Sequence, residues 1–229
     1  MSNIKEHFDN IADSYDFYKQ KNWYYYQSLK DLYKSLIPPG KKVLEVGCGT
    51  GDILASLNPV YGLGTDISEK MIEIANGKNK GNKNLQFLSG NDEDRISELA
   101  DKNFEYIFMA DVIEHLENPE AKIKAVAKIL NQKAKFIITM ANPLWEPILL
   151  VLEKLKLKMP EGPHNRISVK KLRTILQNSN IKIIQETERL IFPAHIPFIS
   201  DYLNKYFQRI PIIKNFGLIV LLVCQKPQK

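Results

Sequence analysis

Long hydrophobic runs are missing from this 229-residue chain. The longest, Phe216 to Cys224, spans nine residues, whereas a helix crossing about 30 Å of hydrocarbon needs about 20; no transmembrane span is expected. Cysteine is nearly absent too. Cys48 and Cys224 are the only two, which excludes a disulfide-stapled scaffold, and no clustering of Cys and His at ligand spacing gives reason to propose a metal. The opening, Met1 to Asn10, breaks up its apolar residues with Lys5, Glu6, His7 and Asp9 and so lacks the stretch typical of a secretory signal. Both thiols are therefore expected to be reduced, in a cytoplasmic protein. Repeats, low-complexity tracts and Gly/Ser linkers are also lacking, so residues 1–229 read as a single domain.

What remains is an ordinary globular composition, 44% hydrophobic and 25% charged, enough for a self-supporting core. The net charge of +6 is unevenly spread. Residues 1–150 carry 18 Lys and Arg against 21 Asp and Glu, whereas 151–229 carry 14 against 5. A basic C-terminal part suits phosphates, of nucleic acid or of a membrane surface, although a solvated lysine-rich face has the same composition.

Short apolar runs alternate with amphipathic segments. Strands are expected at Lys42 to Val46, Val60 to Thr65, Leu85 to Leu88, Tyr106 to Ala110, Phe136 to Met140, Ile181 to Glu186 and Phe216 to Val223. Ser68 is placed to cap a helix running to about Asn76 and stopping at Gly77, and Asn118 with Pro119 opens another. Strand alternating with helix predicts an α/β fold with a mainly parallel sheet covered on both faces. Ligands bind such sheets beyond the carboxyl ends of the strands, here the loops after residues 46, 66, 88 and 110. The segments Asn142 to Leu176 and Arg189 to Asn215 are too long for plain alternation and are expected to be substrate-side insertions before the sixth and seventh strands.

The first strand leads into Glu45-Val46-Gly47-Cys48-Gly49-Thr50-Gly51-Asp52, and Asp66 ends the second strand nineteen residues after Gly47. The glycines permit a tight turn and close backbone approach to a ligand, and the acid is spaced for ribose hydroxyls. A dinucleotide fingerprint wants glycine where this chain has Asp52, because a pyrophosphate would there meet a carboxylate. Glu45, Asp52 and Asp66 together suit a nucleoside cofactor without phosphate and with a positive centre, such as S-adenosylmethionine (SAM). Cys48 reads as a small filler at a crowded turn.

With these residues the chain resembles class I SAM-dependent methyltransferases, specifically the small-molecule, ubiquinone-biosynthesis-like branch. The resemblance rests on the E-x-G-x-G-x-G loop at 45–51, on Asp66, on Gly90-Asn91-Asp92-Glu93 after the third strand, and on Asp111-Val112-Ile113-Glu114-His115-Leu116 after the fourth. It implies a seven-stranded Rossmann-like sheet. It implies further that the glycine loop backs the methionine part of SAM, that Asp66 with neighbouring Ile67 holds the ribose side, that Asn91 or Asp92 faces the adenine amino group, and that the backbone of Ala110 and Asp111 closes the methionine end. Phe8-Asp9-Asn10-Ile11-Ala12-Asp13-Ser14-Tyr15-Asp16 is similar to the family's F-D-x-x-A-x-x-Y-D opening, an N-terminal helical cap (1–37) that would bring Tyr15 to the methionine end. A solvent-facing amphipathic helix is the competing reading.

Methyl transfer from a sulfonium needs alignment and exclusion of water more than catalytic groups. A hydroxyl or acidic-carbon acceptor also needs a base, for which histidine is suited. His115 and His164 are the candidates. His115 alternatively orients its loop together with Glu114, and His164, in an H-x-R-x-S element, alternatively holds the insertion on the core. His7 and His195 have weaker claims. Trp23, Tyr24, Tyr25 and Tyr26 suit an acceptor pocket or a helix face packed on the sheet. Leu144 to Met159 and Phe198 to Arg209 combine apolar and basic residues, as do helices that rest on an anionic bilayer and core helices with wet edges. These features favour a small hydrophobic or lipid-linked acceptor, methylated on oxygen or carbon, and peripheral membrane contact. The alternatives are an RNA or DNA methyltransferase, since Asn142-Pro143-Leu144-Trp145 superficially matches an N-P-P-[YFW] signature, and a non-catalytic SAM-binding module.

Overall fold

The computed structural model describes residues 3–90, 96–160, 162, 167–193, 196, 199–207 and 213–227. Two helices come first, α1 (Asn3–Lys21) and α2 (Trp23–Leu36). Then follow β1 (Lys42–Val46), α3 (Asp52–Ser56), β2 (Tyr61–Asp66), α4 (Glu69–Lys78), β3 (Leu85–Ser89), β4 (Tyr106–Ala110), α5 (Pro119–Ile129) and β5 (Lys135–Ala141). The chain continues through α6 (Glu146–Lys154), α7 (Val169–Asn178), β6 (Lys182–Arg189), α8 (Ile199–Phe207) and β7 (Ile219–Gln225). Helices α6 and α7 stand before β6, and α8 before β7, as expected of the insertions.

The seven strands form one sheet in the order β3-β2-β1-β4-β5-β7-β6. The pairs from β3 to β5 are parallel, and β7 runs antiparallel to both neighbours. Strand order reverses between β1 and β4, so their carboxyl ends open a crevice at the switch point.

Alternate residues of each strand feed opposite cores. Leu44, Val46, Ile107 and Met109 pack on one face with Ile123 and Val126 of α5 and Leu172 and Leu176 of α7. Val43, Phe108 and Ile137 pack on the other with Leu29 and Tyr33 of α2 and Leu54 of α3. The Tyr33 hydroxyl is satisfied in this core by donating to Met109 O at 3.0 Å. Both cysteines are buried and free.

Helix starts follow side-chain caps that take an otherwise unpaired N–H. Ser68 Oγ accepts from Met71 N, Asn118 Oδ1 from Ala121 N and Ser168 Oγ from Lys171 N. Several boundaries differ from expectation. Strands β3 and β5 differ by a single residue at one or both ends, and β6 runs on to Arg189, three residues past Glu186, so that Arg189 belongs to the sheet and not to the insertion that follows. Helix α4 runs through Gly77 to Lys78, whose ammonium reaches Asp16 and Asp52 and so holds the last turn in helix. Strand β2 starts at Tyr61 instead of Val60, and Phe216 lies in a short 3-10 turn, Ile213–Phe216, with β7 starting at Ile219. There Asn142, Trp145 and Leu190 engage the backbone of residues 215–218 instead of a neighbouring strand.

Gly64, mid-strand in β2, has no room for a side chain. A Cβ there would stand 2.6 Å from Phe87 Cδ1 and 2.8 Å from Cys48 Sγ. Gly64→Ala is expected to destabilise the protein by about 1–3 kcal/mol, the range of core overpacking, measured as a lowered urea midpoint.

Candidate active site

The chain turns sharply after β1. Gly47, Gly49 and Gly51 all have positive φ, at 77°, 51° and 78°, which glycine adopts without penalty. Space is equally restrictive: a Cβ on Gly47 would lie 2.8 Å from Val112 Cγ1, and one on Gly51 would lie 2.6 Å from Phe87 Cε1. The bend is pinned by the end of β2, where Thr65 O accepts from Gly47 N at 2.7 Å and from Cys48 N at 2.9 Å. Asp66 completes it. One carboxylate oxygen accepts from Gly49 N at 2.8 Å and the other from Ser68 N at 2.9 Å.

Glu45 and Asp66 are both buried, and burial raises both carboxyls above their ordinary values; at Asp66 the backbone N–H bonds from Ser68 and Gly49 work against it. Glu45 Oε2 accepts from Leu54 N at 3.1 Å, which ties β1 to α3. Asp52 behaves oppositely. Burial opposes its ionisation, but Lys19 and Lys78 outweigh it and hold the carboxyl down at about 2.

Those lysines also fasten α1 across the glycine bend. Lys19 Nζ donates to Asp52 at 2.9 Å and to Thr50 Oγ1 at 3.1 Å, while Thr50 donates to Asp16 at 2.7 Å. Further along, Ser68 Oγ donates to Asp9 at 2.6 Å. This places the Tyr15 ring 3.4 Å from where a Gly49 Cβ would stand, with Lys19 Nζ 4.7 Å from the ring centroid.

The opposite wall follows β4. Asp111 has φ +54°, a conformation that Asp tolerates better than most residues. Its carboxylate accepts from Tyr25 O–H at 2.5 Å and from Thr139 O–H at 3.1 Å. Burial raises it, against those two hydrogen bonds. Glu114 and His115 lie on the short turn Ile113–His115. Burial, then the Asp111 charge, pushes Glu114 up to about 8. Lys158, from the segment after α6, is brought down to about 8 by burial despite Glu153, Asp111 and Glu114 nearby.

These walls enclose a cavity of about 1260 Å³. Of the residues expected at the site, Tyr15, Glu45, Gly47, Cys48, Gly49, Asp66, Ile67, Ala110, Asp111 and His115 border it. Gly51 stands behind, turning the loop against Phe87. Asn91, Asp92 and His164 lie outside the described residues. Lys19, Glu114 as an ionisable wall group, Lys158 and Trp145 also border the cavity. Of these, Glu114 and Trp145 stand in segments already singled out in the sequence, whereas nothing there assigned Lys19 or Lys158 to the site. The Asn142 side chain is spent on structure: it donates to Gly217 O at 2.9 Å and accepts from Leu144 N at 3.1 Å.

A family model described as a methyltransferase domain matches residues 19–186. The chain belongs to that family, and its fold is that of class I SAM-dependent methyltransferases. An uncharacterised protein of Methanocaldococcus jannaschii, MJ1252, is 36% identical over 146 residues, covering 61% of this chain and 52% of that protein. The demethylmenaquinone methyltransferase of Staphylococcus saprophyticus is 25% identical over 164 residues, 69% of this chain and 67% of that enzyme. The chain thus spans little more than half the length of the archaeal relatives it matches, 52% and 59%. Among solved structures, magnesium protoporphyrin IX methyltransferase of Synechocystis, with SAH bound, aligns at a TM-score of 0.69 and 17% identity, covering 98% of both chains. A Haloferax volcanii putative methyltransferase complex with the Trm112 activator gives 0.71, again at 17% identity, covering 99% of this chain and 98% of that one.

The low value at Asp52 makes stability pH-dependent with a defined sign. Its contribution is present above the ordinary carboxyl value of 3.8 and is lost as pH falls toward about 2. Asp52→Asn is expected to flatten the loss of urea stability between pH 4 and 2 (about the window between the two values), measured by denaturation at each pH.

Proposed function

We propose that this protein transfers a methyl group from SAM to a small hydrophobic or lipid-linked acceptor, on oxygen or carbon. The observation that carries this is the cavity, whose 1260 Å³ exceeds the about 300–1,000 Å³ of ordinary ligand pockets and runs from the glycine bend to an aromatic and aliphatic end. It has room for two molecules side by side.

The residues present fit SAM. The bend presents backbone where Gly47 leaves no space for a side chain, and Asp66 keeps lone pairs for ribose hydroxyls beyond the two N–H bonds it accepts. The buried carboxyls of Glu45, Asp66 and Asp111, with the rings of Tyr15 and Tyr26, favour a cation over a diphosphate. Lys19, at the same end, suits the carboxylate of the amino acid part. The adenine contact expected of Asn91 or Asp92 and the role expected of His164 lie outside the described residues. When bound, SAM supplies a methyl group already activated by the sulfonium. The chain's part is to align the acceptor and exclude water, which α1 does by covering the bend and α2 by bringing Trp23, Tyr25 and Tyr26 to the wall.

The acceptor end is lined by Trp145, Leu149, Leu152 and Met159. Its outer surface supports a membrane-facing reading. Helix α6 buries none of its residues completely, and Ile148, Val151 and Leu155 form an exposed apolar ridge, 50%, 55% and 62% accessible. Lys154 and Lys156 flank it, and Trp23 is exposed nearby. Apolar residues beside lysines suit an anionic bilayer, from which a hydrophobic acceptor would enter. Among the described residues no helix is long and apolar enough to cross a membrane.

Calorimetry with SAM is expected to show binding, and NAD none. Asp66→Ala should weaken SAM about 10- to 100-fold, the equivalent of losing charged hydrogen bonds of about 1.5–3 kcal/mol; equal affinity would refute the assigned pocket. Vesicles containing phosphatidylglycerol are expected to co-sediment the protein at low salt, and Ile148→Asp with Val151→Asp to reduce this several-fold without changing stability. Absence of co-sedimentation at low salt refutes the membrane contact.

A further inference from the structure

One ionisable group on the cavity wall has no task in this scheme. Glu114 Oε1 accepts from Ala141 N at 3.3 Å on β5, and its Oε2 is buried with no hydrogen-bond partner among the described residues. A buried carboxyl oxygen without a partner is costly unless it carries a proton or meets a ligand. Its neighbours in the same acidic segment are differently engaged. Both oxygens of Asp111 are taken, by Tyr25 and Thr139. The His115 ring packs edge-on against Phe8, centroids 5.4 Å apart.

We infer that Glu114 accepts the proton of an acceptor hydroxyl, and that the positive charge of the bound sulfonium keeps it ionised until the methyl group moves. This rests on the methyltransferase reading. The groups facing Glu114 are Asp111 at the end of β4, Tyr25 and Tyr33 from α2, Lys158 from the segment after α6, and His115 beside it. Lys158 is the one lysine among these, and although burial brings it down to about 8 it still carries its charge at neutral pH; Glu114 is raised in spite of it. Burial, then Asp111, has pushed Glu114 up to about 8; without ligand the carboxyl is therefore mostly protonated at neutral pH and takes no proton. A cation placed in the same cavity favours its charged form, so binding expels a proton and creates the base.

The transfer then balances in charge. The acceptor O–H bond breaks and its proton goes to Glu114. An oxygen lone pair forms the new O–C bond, and the C–S bond breaks with its electron pair left on sulfur. One sulfonium and one carboxylate become one thioether and one carboxylic acid, both neutral. Because the sulfonium charge vanishes in that step, Glu114 returns to the environment that favours its protonated form. Proton transfer and methyl transfer thereby assist each other.

The test is a proton count that needs no turnover. Calorimetry of the full chain at pH 7.5, in two buffers of different ionisation enthalpy, is run with SAM and with SAH, which lacks the sulfonium charge. Wild type is expected to release a sizeable fraction of a proton with SAM beyond that with SAH. Glu114→Gln should bind SAM without this excess, and His115→Gln should keep it. The wild-type protein alone gives a second readout. Its affinity for SAM relative to SAH should rise at least about tenfold between pH 6 and 8.5, since each unit of pKa shift is a factor of ten. An excess that persists in Glu114→Gln, one that is lost in His115→Gln, or a ratio flat with pH would overturn the inference while leaving SAM binding intact. Failure of SAM to bind would instead remove the methyltransferase reading, and this inference with it.

Discussion

The carboxylate of Asp66 joins the parts on which the site depends. It accepts one N–H from the glycine bend and one from Ser68, the capping residue two positions beyond β2, so a single buried side chain fixes the turn after β1 and the entry to α4 together. Neither segment could hold its position alone, because the bend has left-handed residues at three places and the entry to α4 is a non-helical capping turn. A hydrogen bond to a charged group is worth about twice a neutral one, and here two are made out of reach of water. Burial raises the carboxyl nonetheless, which leaves it receptive to further donors.

The same buried surroundings shape the electrostatics of the cavity. Glu45, Asp66, Asp111 and Glu114 are all raised by burial, whereas Asp52, at the rim, is held low by two ammonium groups. Acid at the rim is thus compensated within the protein, and acid in the interior is compensated only in part. An incompletely neutralised interior with aromatic walls is a receptor for a cation. The two lysines at the rim also bind α1 over the bend, so the cover of the cavity is held by ion pairs at its edge and not by a buried apolar seam.

The acceptor side is built on another principle. Helix α6 contributes Leu149 and Leu152 to the cavity but leaves Ile148 and Val151, with Leu155 just past its end, outside. Asn142 and Trp145 attach its start to the turn before β7, and Asn204 of α8 donates to Tyr24 of α2 at 3.0 Å. Whereas α7 buries Leu172 and Leu176 in the core, α6 and α8 are attached to the frame by these polar contacts, and the apolar residues of α6 are divided between cavity and surface. Such elements can diverge in sequence without disturbing the sheet.

Much of the frame was legible in the residues alone. Strand positions follow from short apolar runs, the bend from Gly47, Gly49 and Gly51, and the helix starts from Ser68 and Asn118, because each of these depends on local chemistry within a few residues. The antiparallel direction of β7 was not legible, since Ile219 to Cys224 are apolar on both faces whichever way they run. Nor was the late start of that strand, which depends on Asn142 and Trp145 some seventy residues earlier. At the site, Asp66 could be named from its spacing, whereas Lys19, Lys158 and the burial of Glu114 could not. A charge acquires its strength from what surrounds it: sequence supplies the carboxyl, but its distance from water, from Asp111 and from Lys158 exists only after segments far apart in the chain have packed together.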